Sequence, residues 1–404
     1  MSKKSLYKLF YINEAEYKQE FDRKFNSEDT IHLDVMIGEN QAFFEQTAEL
    51  YKLVASIERT DKKINLLEKT LPNRAIEQFS MRCLIDEIVL TNKIEGVQST
   101  RKDIDEVLQN LAAQDKRERF KGLVLKYVTL MNGGTINISS CKDIRDIYDD
   151  IFIDEIKLSN SDNLPDGKIF RKNDVSVYSA TDKEIHHGLM PEDKIIETMD
   201  KSLKILKDSN IDVLFRIALF HYLFGYIHPF YDGNGRTSRF ISSYLLSQEL
   251  NFLIGYRISY TIKENINKYY DAFKVCNHPN NKGDLTPFIT MFLNIVDISE
   301  KQLCTALEIR KNKLDYYHNA VWRLPHNKDT NIMDLYYILI QAALFSDKGI
   351  TLDELEFNLK ASYNTIRNRL SQIPQSFLIS NSYKRIKYYT INIEEINKYL
   401  SEHE

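Results

Sequence analysis

Twelve residues, His228 to Arg239, read HPFYDGNGRTSR. An imidazole, a carboxylate, two glycines flanking an asparagine and two guanidinium groups are poor core material, and together they suit the handling of phosphate. Pro229 biases His228 away from helical dihedrals and puts it at the edge between a helix and a loop. Gly233, Asn234 and Gly235 permit backbone shapes that bulkier residues resist, and successive amides in such a turn form a nest for an anion. A helix beginning at about Arg236 adds its free N–H groups and the positive end of its dipole. Arg236 and Arg239, three apart, share a face of the first turn. Arginine at a helix N-terminus opposes the dipole, a local cost that an anion between the two would offset. His228, with a reference pKa near ~6.5, can take a proton from an attacking hydroxyl. Asp232 can hold Mg²⁺, which favours few carboxylates together with phosphate oxygens. Base, metal ligand, nest and clamps make a site for phosphoryl or nucleotidyl transfer. The absence of a GxxxxGK[ST] pattern here excludes a P-loop.

The elements that must position these groups are mostly helices. The run VLFRIALFHYLFGYI before His228 is nearly apolar, so it belongs in the core, and RTSRFISSYLLSQELNFL follows the loop as the next helix. Upstream, TIHLDVMI reads as a strand and NQAFFEQTAELYKLVASIERTDKKINLLEKTL as a helix broken at Pro72. RAIEQFSMRCLIDEIVLTNKIEG is the next helix, opened by Pro72 and Asn73 and stopped by Gly96. RKDIDEVLQNLAAQ, capped by Ser99 or Thr100, and ERFKGLVLKYVTLMNG continue the helical series, and ISSCKDIRDIYDDIFIDEI reads as short helix material. KIFRKNDVSVYS alternates enough to suggest a short hairpin or flap. Past residue 191 the chain is helical again as far as Leu324-Pro325. Residues 331–404 then give three helices, with Thr351 and either Ser362 or Asn364 as caps, followed by two strands around an Asn381-Ser382 turn. That order is the winged-helix pattern.

The 404 residues allow two or three domains: 1–78, mostly helical; 79–300, a core carrying the loop; 301–330, helix and linker; and 331–404. Apolar residues at 43% and charged residues at 28% are ordinary for a globular protein, and 13 Gly with 8 Pro leave few breakers. A net charge of -4 provides no global field for nucleic acid. Cys83, Cys141, Cys276 and Cys304 match no metal spacing and read as reduced core thiols. No apolar run suits a signal peptide or a membrane span, so a cytoplasmic protein is the default expectation.

The segment HPFYDGNGRTSR resembles the signature of the Fic (Fido) family, His-Pro-Phe-x-Asp/Glu-Gly-Asn-Gly-Arg-x-x-Arg, at every fixed position. The resemblance covers roughly residues 80–300. It implies a mostly α fold: a helical core with a short β-hairpin flap, joined here to a C-terminal winged-helix domain. It also implies AMP transfer from ATP, with Mg²⁺, to a Ser, Thr or Tyr hydroxyl of a protein target, with release of pyrophosphate. In that likeness His228 is the general base, Phe230 the buried anchor of the loop and Asp232 the Mg²⁺ ligand. Gly233, Asn234 and Gly235 are the nest around the α- and β-phosphates, with the Asn234 side chain also on phosphate. Arg236 is the β-phosphate clamp and Arg239 the γ-phosphate clamp.

TNKIEG, Thr91 to Gly96, is by itself a helix end with Thr91 and Glu95 on one face. It resembles the family's inhibitory Ser/Thr-x-x-x-Glu-Gly/Asn helix, which implies that Glu95 pairs with Arg239 and takes the place of the γ-phosphate. The same glutamate can alternatively position water for AMP removal. RKNDVSVYSATDKEIHHG, near 168–188, resembles the flap, where a target segment adds a strand beside Val175 and Val177. His186 and His187 close its base or face solvent. ENINKYYDAFKV resembles the helix bordering the adenosine, with Asn267, Tyr269 and Tyr270 as its contacts. Self-modification and a homodimer stay open. So do transfer of phosphate, UMP or phosphocholine, and a regulator with a vestigial or nucleotide-sensing core. The C-terminal unit is a DNA-binding or protein-binding module. SYNTIRNRL with Arg367 and Arg369 and the basic wing YKRIKYY favour DNA; eight acidic against eight basic residues over 347–404 oppose it.

Overall fold

Because the helix Val213–Ile227 is nearly all apolar, it has to be largely buried. Phe215, Leu219, Phe220, Tyr222, Leu223 and Phe224 are sealed from solvent, and the helix forms the axis of the core. The computed structural model describes residues 5–111, 119–178, 184–326, 328–383 and 386–403. The fold is mostly helical with three small antiparallel sheets among the described residues. No described helix is long and apolar enough to cross a membrane. The chain forms two units: residues 1–61 with 84–301, and residues 62–83 with 302–404.

In the first unit, helices Leu6–Ile12 and Glu14–Phe25 lead into a hairpin of Thr30–Ile37 and Asn40–Glu45. The second strand corrects the reading of NQAFFE as the start of a helix. The turn at Gly38 (φ 59°) reverses the chain, and Ala42, Phe43 and Phe44 are buried. Helix Ala48–Thr70 begins only after Glu45. Helix Asn73–Ile94 ends as expected at Gly96, in the left-handed region at φ 73°. Thr100, rather than Ser99, caps Arg101–Gln109 in a capping box with Asp103. The segment read as short helix material is the 19-residue helix Cys141–Ser159, started by a Ser140–Asp143 capping box. All four cysteines are buried.

In the second unit, Thr330–Phe345, Leu352–Leu359 and Tyr363–Gln372 are the three expected helices, capped in turn by Asp329, Thr351 and Ser362. The hairpin is longer than expected: Asn381 pairs with Tyr388 and Ser382 with Lys387, so Asn381-Ser382 is strand rather than turn. Short Ile350–Thr351 completes a three-stranded sheet, with Ile386–Ile391 in the middle. Lys384 and Arg385 of the expected basic wing lie outside the described residues. A last helix, Ile393–Glu402, was not anticipated. Its signal was present in the cap at Asn392 and in Ile396 and Leu400, four apart and buried.

Candidate active site

Helix Val213–Ile227 delivers His228 as its C-terminal cap, in the left-handed region at φ 51° and ψ 62°. A non-glycine residue there costs about 1 kcal/mol or more, so the surroundings must hold it. The His228 N–H donates to the Phe224 carbonyl at 3.0 Å, and the His228 carbonyl accepts from Arg171 Nε at 2.9 Å. Phe230 is fully buried, stacked on Tyr148 at 3.6 Å and edge-on to Phe170. It fixes the middle of the loop. Burial first, then the positive charge of Arg171, push the His228 imidazole down to about 4, against the opposing pull of Glu95. At pH 7 the ring is neutral and able to accept a proton.

The next helix starts at Asn234, two residues before the expected Arg236, with Gly233 as its cap at φ 77°. Asn234 lines the same cleft as His228 and Arg239, and its side chain is engaged within the loop. Its Oδ1 accepts from Phe230 N–H at 2.9 Å and its Nδ2 donates to the Phe230 carbonyl at 2.7 Å, so it staples the loop closed. Asp232 is half-exposed; its Oδ1 accepts from Gly233 N–H at 2.6 Å and lies 3.9 Å from Arg236 Nη2.

The two arginines diverge. Arg239 lines a cleft of about 690 Å³ together with Glu95, His186, His228, Gly235 and Tyr270. Arg236 does not line it. Its guanidinium carbon sits over the Phe152 ring, 4.4 Å from the centroid, and it donates to Glu155 Oε1 at 2.8 Å and reaches Asn92 Oδ1 at 3.5 Å. Glu155 and the Phe152 face hold Arg236 at the start of the helix, 3.9 Å from Asp232 Oδ1.

Glu95 accepts from Arg239 Nη2 at 2.7 Å, while Arg239 Nε donates to Thr91 Oγ1 at 2.8 Å and its Nη2 also to the Thr91 carbonyl at 3.1 Å. The Arg239 side chain is 1% exposed and that of Glu95 31%, so the pair is only partly dry. Burial raises the Glu95 pKa, but Arg239, with help from Arg236 and His228, outweighs it and leaves the carboxyl below its ordinary value. A side chain at Gly235 would collide with the Glu95 carboxylate. An internal anion thus already rests on the helix mouth.

Tyr269 is buried, with its hydroxyl 2.8 Å from His221 Nε2, and it lines the cleft beside Tyr270. Asn267 is exposed and does not line the cleft; its place on helix Ile266–Asn277 turns it outward. Asn277, unanticipated, lines the cleft and accepts from Tyr222 Oη at 2.7 Å. The flap strands are Ser176–Tyr178 and Glu184–His187. Val177 pairs with His186, whereas Val175 lies one residue outside the strand, its carbonyl accepting from Gly188 N–H at 3.0 Å. His186 Nε2 is 2.7 Å from the Tyr226 carbonyl, closing the flap base, and His187 is exposed. Arg171 and Glu155 escaped the sequence reading because their contacts are long-range and no local spacing announces them.

A family profile described as Fic/DOC family matches residues 139–246, which include all of 228–239 and stop short of 91–96. The protein adenylyltransferase Fic of Drosophila yakuba is 28% identical over 240 residues, 57% of this chain and 43% of that protein. The protein of the same name in Drosophila virilis is 28% identical over 267 residues, 64% of this chain and 49% of that one. The chain therefore spans less than half the length of these relatives. A solved Fic family protein from Desulfovibrio desulfuricans G20 has a TM-score of 0.53 at 18% identity, covering 87% of this chain and 98% of that chain. At that identity the likeness concerns the fold. Motif and profile agree over residues 139–246, the part of the chain that matches the Fic/DOC family.

Proposed function

We propose that this chain moves AMP from ATP to a hydroxyl side chain of a protein and releases pyrophosphate, and that Glu95 restrains the activity in the resting chain. The observation carrying the reading is the Glu95 carboxylate, which rests on Gly235 and Arg239 as a stand-in for a phosphate, in one cleft with a neutral imidazole. The name of the Drosophila relatives favours AMP over other transferred groups.

The chemistry follows from the positions. His228 takes the proton of the target hydroxyl as its oxygen bonds the α-phosphorus. The bond from that phosphorus to the bridging oxygen breaks, and pyrophosphate carries away the electron pair. The leading amides at Gly235 and the Arg239 guanidinium hold the outer phosphates, and Tyr269 and Tyr270 border the rest of the cleft. The donor set fits Mg²⁺ bound jointly with phosphates. Asp232 supplies one half-exposed carboxylate, and the described residues contain no cluster of three or more His, Cys, Asp or Glu able to hold a metal unaided. When bound, the ion neutralises phosphate charge. A target strand would add to the flap through main-chain bonds beside Val177.

A DNA-binding role for the C-terminal unit has less support, because eight acidic residues balance its eight basic ones over 347–404. The transferase reading is tested with ATP labelled at one phosphate at a time, using the Glu95→Gly chain. Label from the α-position should stay with protein and label from the γ-position should leave as pyrophosphate. Retention of γ-label instead would establish phosphoryl transfer and refute AMP transfer.

A further inference from the structure

Arg171 is fully buried and touches no carboxylate among the described residues. Its guanidinium spends its donors on three main-chain carbonyls from three different segments. Nε donates to His228 at 2.9 Å, Nη1 to Asn173 at 2.6 Å and Nη2 to Leu189 at 2.8 Å. Asn173 begins the first arm of the flap and Leu189 ends the second, while His228 is the base. The Arg171 N–H also donates to the Pro229 carbonyl at 3.2 Å. There is no room for slack: a side chain at Gly188 would collide with the Arg171 guanidinium and stand 3.1 Å from His228 Cβ. The segment is pinned from the other side by Glu192, whose carboxylate accepts the N–H groups of Lys168, Ile169 and Phe170 at 2.8–3.0 Å.

Burying a charge out of contact with a counter-charge is expensive, typically several kcal/mol, unless its hydrogen bonds are all satisfied in good geometry, and the negative charge of Asp174 offsets only part of that cost here. Hydrophobic packing alone would be served by a neutral side chain. What a planar fork supplies, and a point charge does not, is a fixed angle between three carbonyls. We propose that Arg171 is a positioning residue, one that locks His228 in its left-handed turn and ties it to both feet of the flap, so that a target strand docked on the flap is held in register with the base. The inference rests on the transferase reading.

The groups facing the His228 ring are Arg171, Glu95 and His186, and Arg171 is the strongest of these after burial itself. Two variants in the Glu95→Gly chain therefore separate geometry from charge. Arg171→Lys keeps the charge and loses the fork: kcat should fall about 10-fold, with KM for ATP within about threefold and the acid limb of the pH profile unmoved. Arg171→Met loses both: kcat should fall about 100-fold, and the acid limb should move to higher pH. Binding of a non-hydrolysable Mg·ATP analogue reports folding, and if Arg171→Met fails that check, Arg171→Lys alone decides. A folded Arg171→Lys chain with the parent kcat overturns the assignment. So does loss of nucleotide binding in both variants, which would make Arg171 a folding residue. An unlabelled Glu95→Gly parent would instead overturn the proposed function.

Discussion

Glu95→Gly is expected to raise pyrophosphate release from Mg·ATP by about 100-fold over the unaltered chain. In the resting chain the Glu95 carboxylate accepts from Arg239 at 2.7 Å and sits on Gly235. A terminal phosphate can reach Arg239 only by displacing it. A charge-assisted bond from arginine to phosphate is worth up to about 3 kcal/mol, and each 1.4 kcal/mol is tenfold, which gives the factor. Arg239 would not collapse in the variant, because its bonds to Thr91 Oγ1 and the Thr91 carbonyl survive. Glu95 lies just beyond Ile94, the last residue of its helix, so glycine there costs the helix little. Glu95→Gln, which keeps the shape and removes the charge, should give an intermediate rate. Pyrophosphate release measured at saturating ATP checks the series; equal rates in all three chains would remove the switch.

His228→Ala, placed on Glu95→Gly, should lower AMP transfer by roughly 10²–10⁴-fold, the usual worth of a general base. Affinity for Mg·ATP should change little, because the proposed site grips the phosphates through Arg239 and the amides at Gly235 rather than through the ring. The pH dependence carries the same signature. A base loses activity as pH falls through its pKa, and here burial has pushed that pKa down to about 4 rather than the ordinary 6.5. Activity should therefore hold level from pH 7 down past pH 6. Glu95 raises the His228 pKa, so its removal moves the acid limb lower still, not higher. A His228→Ala chain that transfers AMP at the parent rate would exclude the imidazole as the base, and a rate that halves near pH 6.5 would contradict the lowered pKa.

Local chemistry was the most legible part of the sequence. Gly233, Asn234 and Gly235 could only be a turn running into a helix, and the apolar run 213–227 could only be buried. Thr91 and Glu95 were legible as a pair because four-residue spacing fixes a common helix face. What the sequence hid was direction at long range. Arg236 and Arg239 share a first turn, yet Glu155 and Phe152, some eighty residues earlier, hold one of them while Glu95 holds the other. Asn267 lay in a suggestive run and faces solvent, while Asn277, two residues beyond that run, faces the cleft. Arg171 looked like part of a polar flap, and only folding brings three carbonyls to it. The strand Asn40–Glu45 was read as helix because its apolar residues join those of Ala48–Thr70 in one continuous run, and the reversal at Gly38 was not weighed.

The most direct measurement is a structure of the Glu95→Gly chain with a non-hydrolysable ATP analogue and Mg²⁺. The terminal phosphate should lie on Arg239 where the Glu95 carboxylate rests in the unaltered chain, with the α-phosphate facing the His228 ring. A triphosphate seated away from Arg239, or an α-phosphate out of reach of His228, would contradict the account.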